Sequence, residues 1–360
     1  MKQPMNQPPG APRHEHVPWS RRHFALAVPL LGGIGALGML GAGPAQATPA
    51  PSLRASRALL GTQVDIVVAD APSQGQAQLA LQQAFARMQQ LQAQMSRFHP
   101  DSIVQRLQAN AGRQPVAVTP EMLQVLQQAK AVWKASHGAF DPTVGALAQW
   151  RFAPEQPGMP TVGQIAQALP HVDGAKLHLD AAQGIAYLAE AGMALDLGGI
   201  AKLPILAAGL QTLQEHGIHD ALINGGGDVL AIGTNHGKAW RVGVRNPLQP
   251  QQLLGVIAVQ GAGVVASSGD YERCFERAGQ RYHHVLDPRT GWPTTQVHGV
   301  ALFARSVQEV NGWGTALMVQ GPGTAPGWSA HHPTVAALLA SADGQIWRNT
   351  AMEAALLPVV

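Results

Sequence analysis

Two adjacent histidines beside a sharp turn are the first residues in the sequence that could carry chemistry. They stand in the stretch RYHHVLDPRTGWP, residues 281–293. This stretch could form a metal site, a catalytic histidine on a loop, or only a strand that enters a tight turn, because its Asp-Pro dipeptide favours turn initiation and Gly291 can supply a positive φ. Successive side chains of a strand point to opposite faces, so His283 and His284 make a poor pair of ligands for one ion. At most one of them is expected to face a site.

Three glycine-rich turns at predicted strand ends could hold an anionic group. They lie at 198–199, 225–227 and 269. Backbone N–H groups at such turns can approach phosphate oxygens closely, and the N-terminus of a following helix adds a favourable dipole. None of the turns fits G-x-G-x-x-G before a helix or a P-loop lysine, so Rossmann and Walker sites are not predicted. Lys202, just before a predicted helix, could meet an anionic ligand, although it could equally be a solvated surface lysine.

The elements that must position these residues mix helices with strand pairs and show no regular βαβ period. Apolar spacing, helix caps and turn residues set their predicted bounds. In the first half of the chain the predicted elements are a loose leader over 48–56, a strand over 59–70, and helices over 76–95 and 119–135. Next come two short strands around a turn at 183–184, a strand leading into LDLGGIAK (195–202), and a helix opened by Pro204 and closed by Gly217. The last part has a strand on each side of the triple glycine within 220–233, several strands within 240–303, and a late helix near 306–319. This mixture predicts an α+β fold of mixed, largely antiparallel sheets flanked by helices.

The first 47 residues are predicted to be a twin-arginine export signal. Paired arginines in SRRHFA (20–25) come directly before an apolar run, and AQA (45–47) offers a small-residue cleavage site after Ala47. The alternative is an N-terminal membrane anchor, but the apolar run is about 18 residues long, rich in Gly and Ala, and marginal for spanning a bilayer. A periplasmic location is therefore expected.

The numbers of basic and acidic residues exclude a nucleic-acid partner. The formal net charge of +3 lies wholly in residues 1–47, which carry four basic residues and one acidic residue. The rest of the chain then holds 20 basic and 20 acidic residues, which leaves no basic patch to bind a phosphate backbone. A single cysteine, Cys274, rules out an internal disulfide.

Eight stretches distributed along the chain carry the most specific signal. They are LLGTQVDI, MSRFHPDSIVQRLQ, GAFDPTVGAL, LDLGGIAK, LINGGGDVLAIG, WRVGVRNP, ASSGDYERCFERAGQRYHHVLDPRTGWP and TALMVQG. In this order they resemble the ApbE family of FAD:protein FMN transferases. The resemblance covers nearly all of residues 48–360, which are predicted as one ApbE-like domain, and it implies two packed lobes with a flavin cleft between them.

The resemblance also implies an activity and a set of site residues. Family members bind FAD and Mg²⁺ and transfer the FMN moiety to a Thr or Ser of a partner protein, releasing AMP; exported members commonly serve respiratory membrane complexes. His284 is the implied base or phosphate partner. The implied FAD contacts are Leu60, Phe98, Ala139, Phe140, Asp141, Asp196, Lys202 and Val285. The implied metal site comprises Gly199, Asn311 and Thr315.

The sequence departs from the family pattern near the implied metal and pyrophosphate. Asn311 stands where an aspartate usually ligates Mg²⁺, so weaker Mg²⁺ binding is expected, and Asn311→Asp is expected to tighten it. Residues 203–207 replace a glycine and a short segment that ends in aspartate, and Leu60 stands where methionine is usual. Two alternatives to an active transferase follow: a flavin-binding maturation or carrier protein that has lost transfer, and an enzyme that hydrolyses the FAD pyrophosphate.

Overall fold

An eight-stranded antiparallel sheet forms the centre of the computed structural model, which describes residues 52–153 and 155–359. The predicted export signal lies outside the described residues. Across the sheet the strands run in the order β1 (Leu53–Leu59), β2 (Thr62–Asp70), β6 (Asp220–Gly225), β7 (Asp228–Ile232), β10 (Gly263–Gly269), β13 (Val297–Ala304), β14 (Ala336–Ser341) and β15 (Ile346–Arg348). The sheet is buried on both faces, because alternate residues of β2 enter two separate apolar cores, Val64 and Ile66 on one side and Val67 on the other.

The larger core lies between this sheet and a layer of helices. The helices of that layer are α1 (Gln74–Met95), α2 (Ile103–Ala109), α3 (Pro120–Ala135), α5 (Lys202–Glu215), α6 (Val307–Val310), α7 (Trp313–Gln320) and α8 (Ala325–His331). A small sheet joins the same core, with strands in the order β3 (Val116–Ala117), β5 (Ile185–Leu188) and β4 (Leu177–Asp180). Among the described residues, no helix is long and apolar enough to cross a membrane.

Two smaller units complete the fold. The second face of the central sheet is covered by α9 (Thr350–Ala355) and by a sheet of β16 (Leu356–Leu357), β9 (Leu253–Val259) and β8 (Trp240–Arg245). The hairpin of β11 (Cys274–Arg277) and β12 (Gln280–His283) packs near α4 (Val162–Ala168). Aromatic rings hold that hairpin: Tyr282 stacks on Trp150 at 5.9 Å, and Phe275 stacks on Phe152 at 6.1 Å.

Several predicted elements are confirmed, together with the α+β class. Helix α1 contains the predicted helix over 76–95; Ser73 caps it, and its apolar residues, including Leu81, Phe85 and Met88, are buried. Thr119 caps α3, and Pro120 is its first residue. Gly217 follows α5 with a φ of 76°, a left-handed conformation that glycine adopts without strain.

Four predicted elements are wrong in part. The single strand over 59–70 is a hairpin, because Leu60 and Gly61 both have positive φ and turn the chain between β1 and β2. Residues 53–56 of the predicted leader belong to β1, because the leader was predicted without the partner strand β2, which no local pattern reveals. LDLGGIAK follows no strand beyond an isolated bridge at Ala194. The late helix breaks at Gly312, where a φ of 81° separates α6 from α7.

Candidate active site

Lys202 and Asp228 form the ion pair at the centre of the candidate site. Lys202 is the first residue of α5 and Asp228 the first of β7, so the glycine turn between β6 and β7 brings the carboxylate to the start of the helix. Lys202 Nζ lies 2.7 Å from Asp228 Oδ2 and 3.4 Å from the Gly225 carbonyl oxygen. Asp228 Oδ1 accepts a hydrogen bond from the backbone N–H of Ser267 at 2.9 Å. The ammonium group has three N–H donors, so one remains for a ligand.

His284 lies just after β12, with its side chain half-buried. Its backbone N–H donates to the Arg273 carbonyl at 3.1 Å, and its ring Nδ1 is shielded from solvent without a hydrogen-bond partner among the described residues. Burial lowers the pKa of His284 well below its ordinary value, and the positive charges of Arg273 and Lys202 lower it further. An imidazole that is neutral near pH 7 has a lone pair on one ring nitrogen and can accept a proton.

His283 has a different environment from its neighbour. Its side chain is buried, and its Nε2 donates to the Thr294 carbonyl at 2.6 Å. Its Nδ1 accepts from the backbone N–H of Val285 at 3.4 Å. Both ring nitrogens of His283 are thus engaged within the chain, and the ring ties β12 to the turn that follows it.

Arg97, Phe98 and Asp196 form a second part of the site. Arg97 Nη1 donates to Asp196 Oδ2 at 2.9 Å, while Asp196 Oδ1 accepts from the Gly198 N–H at 2.8 Å. The Phe98 ring is 78% exposed, and the Arg97 guanidinium lies 4.9 Å from its centre. A Cβ built on Gly198 would come 3.8 Å from Arg273 Nη2, so the Arg273 side chain reaches this loop. An exposed aromatic face next to a cation suits a planar ligand ring.

Asp141 shapes a loop with its carboxylate. The side chain is buried; Oδ1 accepts from the N–H and hydroxyl of Thr143 at 2.7 and 2.5 Å, and Oδ2 accepts from the Gly174 N–H at 2.8 Å. Burial raises the pKa of Asp141, although these hydrogen bonds oppose the shift. Both carboxylate oxygens therefore have partners inside the chain, and a direct contact with FAD stays a prediction.

Three further residues implied as FAD contacts lie in the core, and a fourth packs against it. The side chains of Ala139, Phe140 and Val285 are buried, and Leu60 is half-buried with its N–H donating to Gln92 Oε1 at 2.7 Å. A Cβ built on Gly199 would come 3.3 Å from the Phe140 ring, so Phe140 supports the loop at 198–199. Their direct contacts with FAD likewise stay predictions.

The structure brings together the three residues of the implied metal site. A Cβ built on Gly199 would come 2.9 Å from Thr315 Oγ1, so the loop backbone approaches this hydroxyl closely. Asn311 is 1% exposed and donates from Nδ2 to Gln128 Oε1 at 2.8 Å and to the Ile200 carbonyl at 2.9 Å. These residues offer neutral oxygens of the type that Mg²⁺ accepts, without a carboxylate. Within residues 52–153 and 155–359, no group of three or more His, Cys, Asp and Glu side chains is placed to hold a metal ion.

Sequence reasoning missed three side chains that the structure places at or near the site. Arg97 and Arg273 lie inside motifs of the family resemblance, and a cation next to a predicted ligand residue is the signal that could have identified them. Gln128 lies on α3, far along the chain from Asn311, and no local pattern marks it.

Comparison with known proteins identifies the family. The ApbE family model matches residues 60–339. The FAD:protein FMN transferase of Treponema pallidum is 35% identical over 259 residues, which cover 67% of this chain and 71% of that relative. The enzyme of that name from Klebsiella pneumoniae is 34% identical over 220 residues, which cover 60% of this chain and 68% of the relative.

Solved structures agree with this assignment at the level of the fold. The ApbE protein of Thermotoga maritima superposes with a TM-score of 0.77 and 28% identity, over 85% of this chain and 99% of the other. The apo flavinyl transferase ApbE of Pseudomonas stutzeri gives a TM-score of 0.74 at 24% identity, over 86% and 98% of the two chains. This chain belongs to the ApbE family.

Proposed function

We propose that this protein transfers the FMN moiety of FAD to a Thr or Ser hydroxyl of a partner protein and releases AMP. The observation that carries the proposal is the half-buried His284, whose ring Nδ1 has no partner among the described residues and whose pKa is lowered by burial and by the positive charges of Arg273 and Lys202. Relatives of the same family carry the name FAD:protein FMN transferase. The acceptor that we propose is a subunit of a respiratory membrane complex.

In the proposed reaction, the acceptor oxygen attacks the phosphorus next to riboflavin and the bond between the two phosphates breaks. His284 takes the hydroxyl proton, and the phosphate of AMP leaves with the electron pair. Lys202 binds and neutralises pyrophosphate oxygens with its remaining N–H, and Phe98 offers its exposed face to a ring of FAD. The neutral state of His284 keeps it ready to accept the proton near pH 7.

Mg²⁺ is the proposed ion of the reaction. Gly199, Asn311 and Thr315 would hold it, and when bound it would neutralise charge on the pyrophosphate and on the leaving phosphate. Because these three residues supply only neutral oxygens, most of the negative charge around the ion would come from FAD itself.

Intact-mass analysis tests the proposed function. Purified protein is incubated with FAD, MgCl₂ and threonine-bearing fragments of exported respiratory subunits from the same genome, and the AMP released is measured in parallel. A fragment that gains one FMN residue, with one AMP released for each, is the expected result. AMP release without a mass gain would indicate pyrophosphate hydrolysis instead. Bound FAD with neither product would favour the carrier protein, an alternative that the missing carboxylate at Asn311 keeps open.

Phe98→Ala is expected to weaken FAD binding by about tenfold or more without lowering the melting temperature. Stacking of a base on an aromatic side chain is worth about 1–3 kcal/mol, while an exposed side chain adds little to the stability of the fold. Binding is measured by quenching of flavin fluorescence. Leu79→Ala is a matched control, since Leu79 is an exposed apolar residue on α1. Equal affinity in Phe98→Ala and wild type would remove Phe98 from the FAD site.

We also propose that the protein acts in the periplasm after export by its twin-arginine signal and cleavage after Ala47. Replacing Arg21 and Arg22 together by lysine is expected to leave a precursor in the cytoplasm, because the paired arginines define this export route. Fractionation and N-terminal sequencing provide the measurement. Normal amounts of mature protein in the periplasm of the double variant would show that the arginine pair is incidental.

A further inference from the structure

Asn311 occupies a buried position at the break between α6 and α7, enclosed by groups from two other elements. Gln128 reaches it from α3, and the Ile200 carbonyl reaches it from the loop before α5. The backbone N–H of Asn311 donates to the Val307 carbonyl at 2.9 Å, which ends α6. The side chain is therefore held at two points by separate parts of the fold, and the backbone of the residue is fixed by the end of α6.

The partners of Asn311 determine which way its amide faces. A backbone carbonyl can only accept, so Asn311 must turn its NH₂ group, and not its oxygen, toward Ile200. The second hydrogen of the NH₂ group goes to Gln128 Oε1. Both hydrogens are then used, and because the amide is planar, its oxygen is directed away from these two acceptors.

An aspartate at this position would meet the same acceptors without a hydrogen to offer. Gln128 could turn its own amide and donate to the carboxylate, but the Ile200 carbonyl cannot. The carboxylate would also be buried, and a buried charge without a compensating partner is strongly unfavourable. A cation between the carboxylate and the carbonyl would remove the conflict.

We propose that Gln128 and the Ile200 carbonyl select an amide at position 311, and that Gln128 is a positioning residue of the ion site. With its amide fixed in this way, Asn311 offers the site one neutral oxygen. The apo protein then binds Mg²⁺ poorly, and the site takes the ion as its complex with a pyrophosphate. The last statement rests on the proposed function; the selection of an amide does not.

Thermal melts of the apo protein test the selection of an amide. We expect the melting temperature of the wild type to be the same in EDTA and in MgCl₂. We expect Asn311→Asp to melt roughly 5 °C lower than wild type in EDTA and to regain most of this loss in MgCl₂. Asn311→Leu is the matched control: it loses both hydrogen bonds without adding charge, so its lower melting temperature should not respond to MgCl₂.

Two outcomes of the melts would overturn the proposal. One is an Asn311→Asp variant that melts like wild type in EDTA, since no acceptor would then oppose a carboxylate. The other is an apo wild type that MgCl₂ stabilises as much as it stabilises Asn311→Asp. Neither measurement involves FAD or transfer, so the proposed function can fail while the selection of an amide stands, and the reverse.

A second series tests Gln128 and remains informative if Asn311→Asp does not fold. Loss of a residue that orients a metal ligand typically lowers metal affinity by about 10–100-fold. Gln128→Met is therefore expected to raise the Mg²⁺ concentration for half-maximal FAD binding at least tenfold. Gln128→Glu keeps an acceptor for Asn311, so the Mg²⁺ concentration that this variant needs should equal that of the wild type or be lower. Gln124→Met controls for a lost glutamine on the same helix. A Gln128→Met variant with the wild-type requirement would show that Gln128 does not position Asn311.

Discussion

We expect His284→Ala to lower the rate of FMN transfer by about 10²–10⁴-fold, the usual contribution of a general base, and to retain most FAD binding. The loss is expected to be large because the half-buried His284 imidazole has a ring nitrogen without a partner among the described residues, and because burial and the charges of Arg273 and Lys202 lower its pKa. Single-turnover transfer to an acceptor fragment gives the rate, and flavin fluorescence gives the affinity. A loss of less than tenfold would assign the proton transfer to another group.

His283→Ala is the matched control for this prediction. The His283 ring donates to the Thr294 carbonyl and is expected to contribute to stability rather than to transfer. The variant should therefore melt at a lower temperature and keep most of its rate for each folded molecule.

A histidine whose pKa is lower in the folded protein than in the unfolded chain is protonated first in the unfolded chain, as the pH falls below about 6.5. Wild-type stability should therefore fall as the pH drops below this value, and His284→Ala should remove part of that loss.

Lys202→Ala is expected to reduce both stability and FAD affinity, and a double variant separates the two effects. Removing the ammonium leaves the buried Asp228 carboxylate without its cation, which should cost about 2 kcal/mol, since the Lys202 end of the pair is 30% exposed. Lys202→Ala with Asp228→Asn removes both charges and should recover most of that stability. FAD affinity should stay low in the double variant, by tenfold or more, because the N–H that would bind the pyrophosphate is gone.

Stability is measured by chemical denaturation, and FAD affinity by titration. Both are measured for four proteins: the wild type, the two single variants and the double variant. Asp228→Asn alone is informative because it keeps the lysine and frees it from its partner. Its FAD affinity should match or exceed that of wild type. Wild-type affinity in Lys202→Ala would mean that the lysine serves only the fold.

The parts of the fold that were predicted correctly are those with local signals. Thr119 and Pro120 mark the start of α3, and Gly217 marks the end of α5, because caps and left-handed turns depend on residues close in the chain. Strand β1 was missed because its apolar pattern is weak and its partner β2 defines it. The break at Gly312 was missed because a glycine in a helical pattern predicts either a weak helix or its end.

The candidate site could be predicted only through the resemblance, because its residues are spread over more than half of the chain and no periodicity joins them. The choice between the two histidines depends on which one has a free ring nitrogen, and that is decided by Thr294, whose carbonyl occupies His283. The contact between Gln128 and Asn311 joins two helices and depends on the direction of one amide. Neither feature leaves a pattern in the sequence.

The pairing of β2 with β6 also has a consequence for the order in which the chain folds. These neighbours pair Val64 with Gly225 and Val68 with Ala221, so the centre of the sheet cannot close until the ribosome has released both segments. Contacts between such distant segments form slowly, since a long loop must be closed before they gain stability. Lys202 lies inside that loop and its partner Asp228 just beyond it, so the ion pair also needs a chain that extends past β6. A nascent chain that ends before β6 therefore has neither the sheet centre nor the Lys202–Asp228 ion pair.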